Sequence, residues 1–390
     1  MRIAVLCCDL GIRVPGDKGA SLHLQSISTA FAAAGHDVLL IGVAGSTPAR
    51  LDIETRLFTH PGRREGLARE VQKVAFNEVV ADAARAELEA FAPDVLYERL
   101  SLFADCGLRL ARSLGVDHVV EVNALLAREE AQWRGLRLGG LAHQREAAVL
   151  GGCTLAIAVS DEWAGAVNDV APSTPVAVVP NGVDIDLFAA PVDRDEARRS
   201  FGLPTDAAIV GFAGALRPWH GLDAAIRALR LLPDDVVLAV AGDGPVRSDL
   251  EALAVAENVE SRVRWLGQLE HRAVPRFLAS LDVAVAPYPA LDDFAFSPLK
   301  LYEYLAGGVP TVASDIGQVG RAMHPDGGLL VRPGEVPALA AGIRRVLNDP
   351  ARWRRRAAVA RAHALANHSW LARARDIVGH IERTGSRAVA

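Results

Sequence analysis

The stretch FSPLKLYEYLAGG, Phe296 to Gly308, places a serine, a proline, a lysine and a glutamate at the start of a short apolar helical pattern. Ser297 suits an N-cap, and Pro298 suits the first helical position, where its missing N–H and fixed φ cost nothing. The amides of Leu299 and Lys300 would then face outward from the positive end of the helix dipole, beside an ammonium, which suits a bound anion. Glu303 falls about one and a half turns past the cap, where a carboxylate can accept both hydroxyls of a ribose. A plain, well-capped helix would begin the same way, so other loops must decide. In GFAGALRPWHGLDAAIRAL, Gly211 to Leu229, Gly214 ends an apolar run, Arg217 and His220 lie in the loop, and Gly221 precedes a helix. Two cationic side chains beside flexible backbone suit a diphosphate. A surface Arg and His are the plainer alternative.

These residues need elements to position them, and the chain supplies an alternating series. RIAVLCC, HDVLLIGV, DVLYERL, VDHVVEV and CTLAIAVS read as buried strands separated by helical stretches such as GASLHLQSISTAFAAAG. A turn-rich passage, APSTPVAVVPNGVDIDLFAAPVDRDEA, then reads as an interdomain connection. Six further strands follow: AAIVGFAGAL, DVVLAVAGDGP, VRWLGQ, LDVAVAPYP, VPTVAS and GGLLVRPG. The fold class expected is α/β, with two doubly wound Rossmann-like domains facing a central cleft. Ligands of such sheets bind beyond the carboxyl ends of the strands, which is where the loops above fall. A third loop of this kind, DLGIRVPGDKGAS, Asp9 to Ser21, carries Gly11, Gly16 and Gly19 but matches neither dinucleotide nor phosphate-loop patterns. AGDGP, Ala241 to Pro245, follows another strand, and its turn chemistry accounts for it without a ligand. Diphosphate and sugar groups offered together by one domain are what a nucleotide-sugar demands.

Composition removes several alternatives. The 390 residues exceed what one core usually serves. A net charge of -5 argues against a broad nucleic-acid surface, so any anionic ligand must be held locally. Cys7, Cys8, Cys106 and Cys153 lack metal-ligand spacing and read as reduced, buried thiols of a cytoplasmic protein. The N-terminus lacks a signal-peptide pattern, and no run is long enough to span a membrane. Peripheral membrane contact stays open, although the basic run ARWRRRAAVARAHA reads most simply as a solvated helix face. Asp184 and Asp186 of VDIDLF read as a capped connection rather than a metal site.

KGASLHLQSISTAFAAAGHDV, VVPNGVDIDLF, GFAGALRPWHGLDAAIRAL, AGDGP, SPLKLYEYLAGGVPTVAS and the late Trp370 occur in an order and spacing that resembles a GT-B fold glycosyltransferase of the family 4 type, over essentially the full length. The resemblance implies an acceptor-binding domain over 1–178, a nucleotide-sugar-binding domain over 179–368, and a last helix over 369–390 that crosses back or closes the second domain. It implies transfer from a UDP-, GDP- or similar nucleotide-sugar to an acceptor hydroxyl, with retention of configuration; no cofactor is expected, and no metal, since Arg217, Lys300 and the helix amides can stabilise the departing diphosphate and no framed carboxylate cluster is present. In the carry-over, Arg217, His220 and Lys300 are the catalytic clamp, and Ser297, Leu299 and Lys300 line the diphosphate. Glu303 grips the ribose, Gly16 and Gly19 approach the reacting centre, and Leu266 to Leu269, including Gly267 and Gln268, edge the base. On the acceptor side fall Asn123, Glu121, Lys18 and Ser21, with Asn123 standing where the family has a histidine. Ala295 replaces the family's first motif glutamate, and Ala215 and His220 replace its usual Arg and Lys. A pseudo-glycosyltransferase, an epimerase or a silent nucleotide-sugar sensor on the same fold are the alternatives.

Overall fold

A computed structural model describes residues 1–16, 18–45, 51–133, 135–291, 294 and 297–388. Ala295 therefore lies outside the described residues. The chain divides into two compact units. The first is built from Met1–Asn181, Ser297 and the terminal stretch from Trp370, the second from Gly182–Phe294 and Pro298–Ser369.

The first unit holds β1 (Arg2–Cys7), β2 (Arg13–Val14), β3 (Asp37–Ala44), β4 (Glu54–Phe58), β5 (Val95–Arg99), β6 (Asp117–Val122), β7 (Leu155–Ala158) and β8 (Val176–Val178). They pair in the order β2-β3-β1-β5-β6-β7-β8, with β4 also on β3, and the pairings are parallel. Strands covered on both faces must be apolar throughout, which is why β1 buries five of its six residues. One face packs Ile3, Val5 and Tyr97 on Leu24, Ile27 and Phe31 of the helix Gly19–Ala33. Ala374, Ile377 and Ile381 of the last helix, Trp370–Ala388, enter the same core. The other face meets Phe76, Val80 and Leu88 of the long helix Gly66–Phe91.

The second unit holds β9 (Ala208–Ala213), β10 (Val236–Ala241), β11 (Val263–Gly267), β12 (Val283–Ala286), β13 (Thr311–Ser314) and β14 (Gly328–Val331), paired in parallel as β11-β10-β9-β12-β13-β14. These are the six runs read from the sequence. β2, β4 and β8 were not expected; β8 lies inside the passage read as a connection, and three residues give too short a run to register. The basic run forms the helix Pro350–Asn367, which buries Trp353, Ala357, Ala360 and Ala364 and turns Arg354 to Asp282 and Arg356 to Asp326. All four cysteines are free and buried.

Candidate active site

The loops at the carboxyl ends of β9, β10 and β12 are locked together through backbone. Leu216 N–H donates to the Asp243 carbonyl at 2.9 Å and Gly214 N–H to the Ala241 carbonyl at 2.9 Å. Gly242 holds φ 154°, and a Cβ there would sit 1.9 Å from the Gly214 carbonyl oxygen. Gly221, at φ 66°, would drive a Cβ to 1.9 Å from the Pro287 carbonyl oxygen. Both positions therefore require glycine for close approach as well as for backbone conformation. The AGDGP turn thus braces the loop that carries Arg217 and His220.

Against this loop stands Lys300, on the helix Leu299–Ala306. Its side chain is buried, with the ammonium 4.3 Å from the Phe212 ring centre and 5.2 Å from that of Tyr288. Among the described residues Nζ has no hydrogen-bond partner. Burial pulls its pKa down to about 7, with Glu303 opposing the shift. An ammonium taken out of water and given no acceptor is costly, and an anionic ligand would relieve that cost. Arg217 is partly buried, its guanidinium 5.7 Å from the Trp219 ring centre, and no described carboxylate pairs with it.

His220 does not behave as the second cation expected from the sequence. Its Nδ1–H donates to the Ala215 carbonyl at 2.5 Å, and the ring lies among Phe212, Trp219 and Tyr288. Removal from solvent, with Lys300 and then Arg217 adding repulsion, lowers its pKa to about 3. It is a neutral ring that fixes the loop, and the positive charge comes from Arg217 and Lys300.

The expected start of the Leu299–Ala306 helix also changes. The cap position is taken by Pro298, not Ser297, and no side chain caps the helix. The Ser297 hydroxyl instead accepts the Asn181 N–H at 3.2 Å, 116 positions away in sequence. Leu299 and Lys300 remain the first helical residues, whose N–H groups lack intrahelical acceptors by construction. Glu303 has a partner within the protein: His271, on the short turn after β11, places Nε2 2.9 Å from its Oε1. Burial works against a charged His271 ring, but the bond to Glu303 and the charges of Glu303 and Asp184 outweigh it and raise its pKa. The sequence showed only that His271 follows a strand, since its partner lies 32 residues on. At the end of β11, Gly267 adopts φ 70°, nothing stands within 4 Å of where its Cβ would be, and its carbonyl accepts the Gly242 N–H; Gln268 follows it. Asp184 caps the turn Ile185–Phe188 by accepting from Asp186 N–H, as the sequence suggested.

In the first unit, Gly16 is confined: a Cβ would lie 2.5 Å from the Arg13 carbonyl oxygen, and its own carbonyl accepts from Gln25 Nε2 at 2.7 Å. Gly19 opens the first helix with free space around it, Lys18 is exposed at the cap position, and Ser21 is buried with its hydroxyl accepting the Arg13 N–H. Glu121 is corrected from an acceptor contact to an internal anchor. It is 3% exposed, holds His23 Nε2 at 2.6 Å, lies 3.6 Å from Arg99 Nη1, and has its pKa lowered to about 2; burial opposes that shift, and His23 and Arg99 outweigh it. Trp370 packs edge-on against His23, at 4.8 Å between ring centres. Asn123, just beyond β6, keeps a buried Nδ2 with no partner among the described residues. Arg99, which did not stand out in the sequence, lies in register with Cys7 and Glu121 at the carboxyl end of the sheet.

Residues 18–187 match the Glycosyltransferase Family 4 model and residues 193–363 the model for glycosyl transferases group 1. A GDP-mannose-dependent alpha-(1-6)-phosphatidylinositol dimannoside mannosyltransferase of Mycobacterium tuberculosis is 30% identical over 369 residues, covering 89% of each chain. A glycogen synthase of the same species is 27% identical over 381 residues, covering 90% of this chain and 88% of the relative. Among solved structures, sucrose-phosphate synthase from Thermosynechococcus elongatus superimposes with a TM-score of 0.78 at 22% identity over the full length of both chains. Anabaena Alr3699/HepE in complex with UDP-glucose does so at 0.74 and 20% identity, covering 98% of this chain and all of that one. The two α/β units have the GT-B fold, and the chain belongs to the group 1, family 4 glycosyltransferases.

Proposed function

We propose that the chain transfers a sugar from a nucleotide-diphosphate sugar to an acceptor hydroxyl, with retention at the anomeric carbon and without a metal ion. The observation that carries this reading is the buried Lys300 ammonium, which has no hydrogen-bond acceptor among the described residues and stands beside both the start of its helix and the braced loop after β9. The nucleotide-sugars named for the mannosyltransferase relative and for the HepE complex support the donor class. In this scheme the bond from the anomeric carbon to the diphosphate oxygen breaks and the acceptor oxygen bonds on the same face. The acceptor proton passes to the departing diphosphate. Lys300, Arg217 and the amides of Leu299 and Lys300 stabilise the charge that develops there. Glu303 holds the ribose, Gly267 and Gln268 edge the base, Gly16 and Gly19 approach the reacting centre, and the first unit, with Lys18, Ser21 and Asn123, receives the acceptor.

The test is a panel of UDP-, GDP- and ADP-sugars read by thermal stabilisation. A ligand at a hundred times its dissociation constant adds about 2.7 kcal/mol. The donor so found is then incubated with and without candidate acceptors, with EDTA present. Slow donor hydrolysis, and a product with the donor's anomeric configuration, are expected. An inverted product, or loss of activity restored by magnesium, would overturn the mechanism. A free nucleotide released with an altered sugar would mark an epimerase, and binding without turnover a sensor.

A further inference from the structure

We propose that His271 is the positioning residue of the donor site, fixing the Glu303 carboxylate by one oxygen so that the other is presented to the ribose hydroxyls. The inference rests on the donor reading above. Its geometry is independent of any ligand: Nε2 lies 2.9 Å from Oε1, both side chains are about four-fifths buried, and Oε2 carries no hydrogen bond from a described residue. A glutamate has three side-chain torsions to fix, and a carboxylate tied at one oxygen loses most of that freedom before ligand arrives. The bond also joins two elements that grip the nucleotide in this scheme, the turn after β11 and the helix Leu299–Ala306. The charged groups facing this pair are Asp184, which acts on His271, and Lys300, one turn before Glu303. Glu270 and Arg272, the sequence neighbours of His271, pair with each other.

The raised His271 pKa gives the device a pH sense. The ring is charged, and its hold on Glu303 strongest, below that raised value; the hold weakens as pH rises through it. Lys300, with its pKa lowered to about 7, also loses charge as pH rises, so wild type alone cannot separate the two, but a His271 variant that cannot titrate can.

UDP and GDP, each with its 2′,3′-dideoxy counterpart, serve as probes in calorimetric titrations of wild type, His271→Phe, His271→Gln and Glu303→Ala. His271→Phe should weaken the ribonucleotide that binds about tenfold and the dideoxy form less than twofold. His271→Gln, which keeps an N–H of similar reach, should restore most of the affinity and show a shallower fall with pH than wild type between pH 6 and 8. Equal losses of His271→Phe for both nucleotide forms, or no loss, overturn the inference while leaving the donor reading intact. If wild type does not distinguish ribose from dideoxyribose and Glu303→Ala binds normally, the ribose contact falls, and this inference with it. Melting curves of each variant identify any loss due to unfolding, and His271→Gln decides the matter if His271→Phe does not fold.

Discussion

The buried lysine gives the clearest residue-scale consequence. Its ordinary pKa of 10.5 falls to about 7 on folding, so between those values the unfolded chain binds more protons than the folded one. Lys300 therefore lowers stability most below pH 7, and the loss is recovered as pH rises through that window. Lys300→Met should raise stability at pH 6 by at least about 1 kcal/mol, read from urea unfolding, while donor binding is lost. Binding of a nucleoside diphosphate to wild type at pH 8 should take up close to one proton, measured by calorimetry in buffers of differing ionisation enthalpy. No uptake, or uptake unchanged in Lys300→Met, would remove Lys300 from the anion site. His220 leads to the opposite substitution. Because it is a neutral ring bonded to Ala215, His220→Lys sets a second ammonium beside the first and loses the ring packing. Turnover should fall at least tenfold, and a variant with normal turnover would restore the cationic role. Lys300, Glu303 and Arg217 were legible in the sequence because charged residues stand out in an apolar or glycine-rich setting. The neutrality of His220 and the pairing of Glu303 were not, because both depend on what folds over them from distant positions.

At the scale of elements, long buried strands announced themselves and short edge strands did not. β9 and β10 are almost wholly apolar, whereas β4 reads ETRLF and is half exposed along an edge. The start of the Leu299–Ala306 helix was read one residue early for a similar reason. Ser297 has the chemistry of a cap, but its hydroxyl serves Asn181. AGDGP was legible as a turn, yet its second function, bracing the Arg217 loop, appears only where Gly242 meets Gly214. Gly242→Ala is expected to push that loop away, because a Cβ 1.9 Å from a carbonyl oxygen cannot be accommodated by side-chain motion. Donor affinity should fall by an order of magnitude or more, with the larger effect on diphosphate than on nucleoside binding. Titration of both ligands checks this, and a uniform loss would mean the damage is not confined to the loop.

For the whole molecule, the two-unit plan was legible because the strand–helix rhythm runs twice, while the destination of the last helix was left open by a sequence in which either ending is apolar enough. Ile377 and Ile381 enter the core of the first unit. Ile377→Ala should cost about 2–5 kcal/mol and lower the melting transition of that unit selectively. A chain ending at Ser369 should lose that transition while keeping the one belonging to the second unit, as scanning calorimetry would show; loss of both would mean the units do not melt separately. The same arrangement orders events during synthesis. Residues 182–369 emerge, and can close their own sheet, while the earlier unit still lacks the helix that covers part of its core. Until the final nineteen residues of that helix arrive, Ile3, Val5 and Phe31 border an unfinished surface, so a stalled or prematurely ended chain presents a folded second half tethered to a sticky first half.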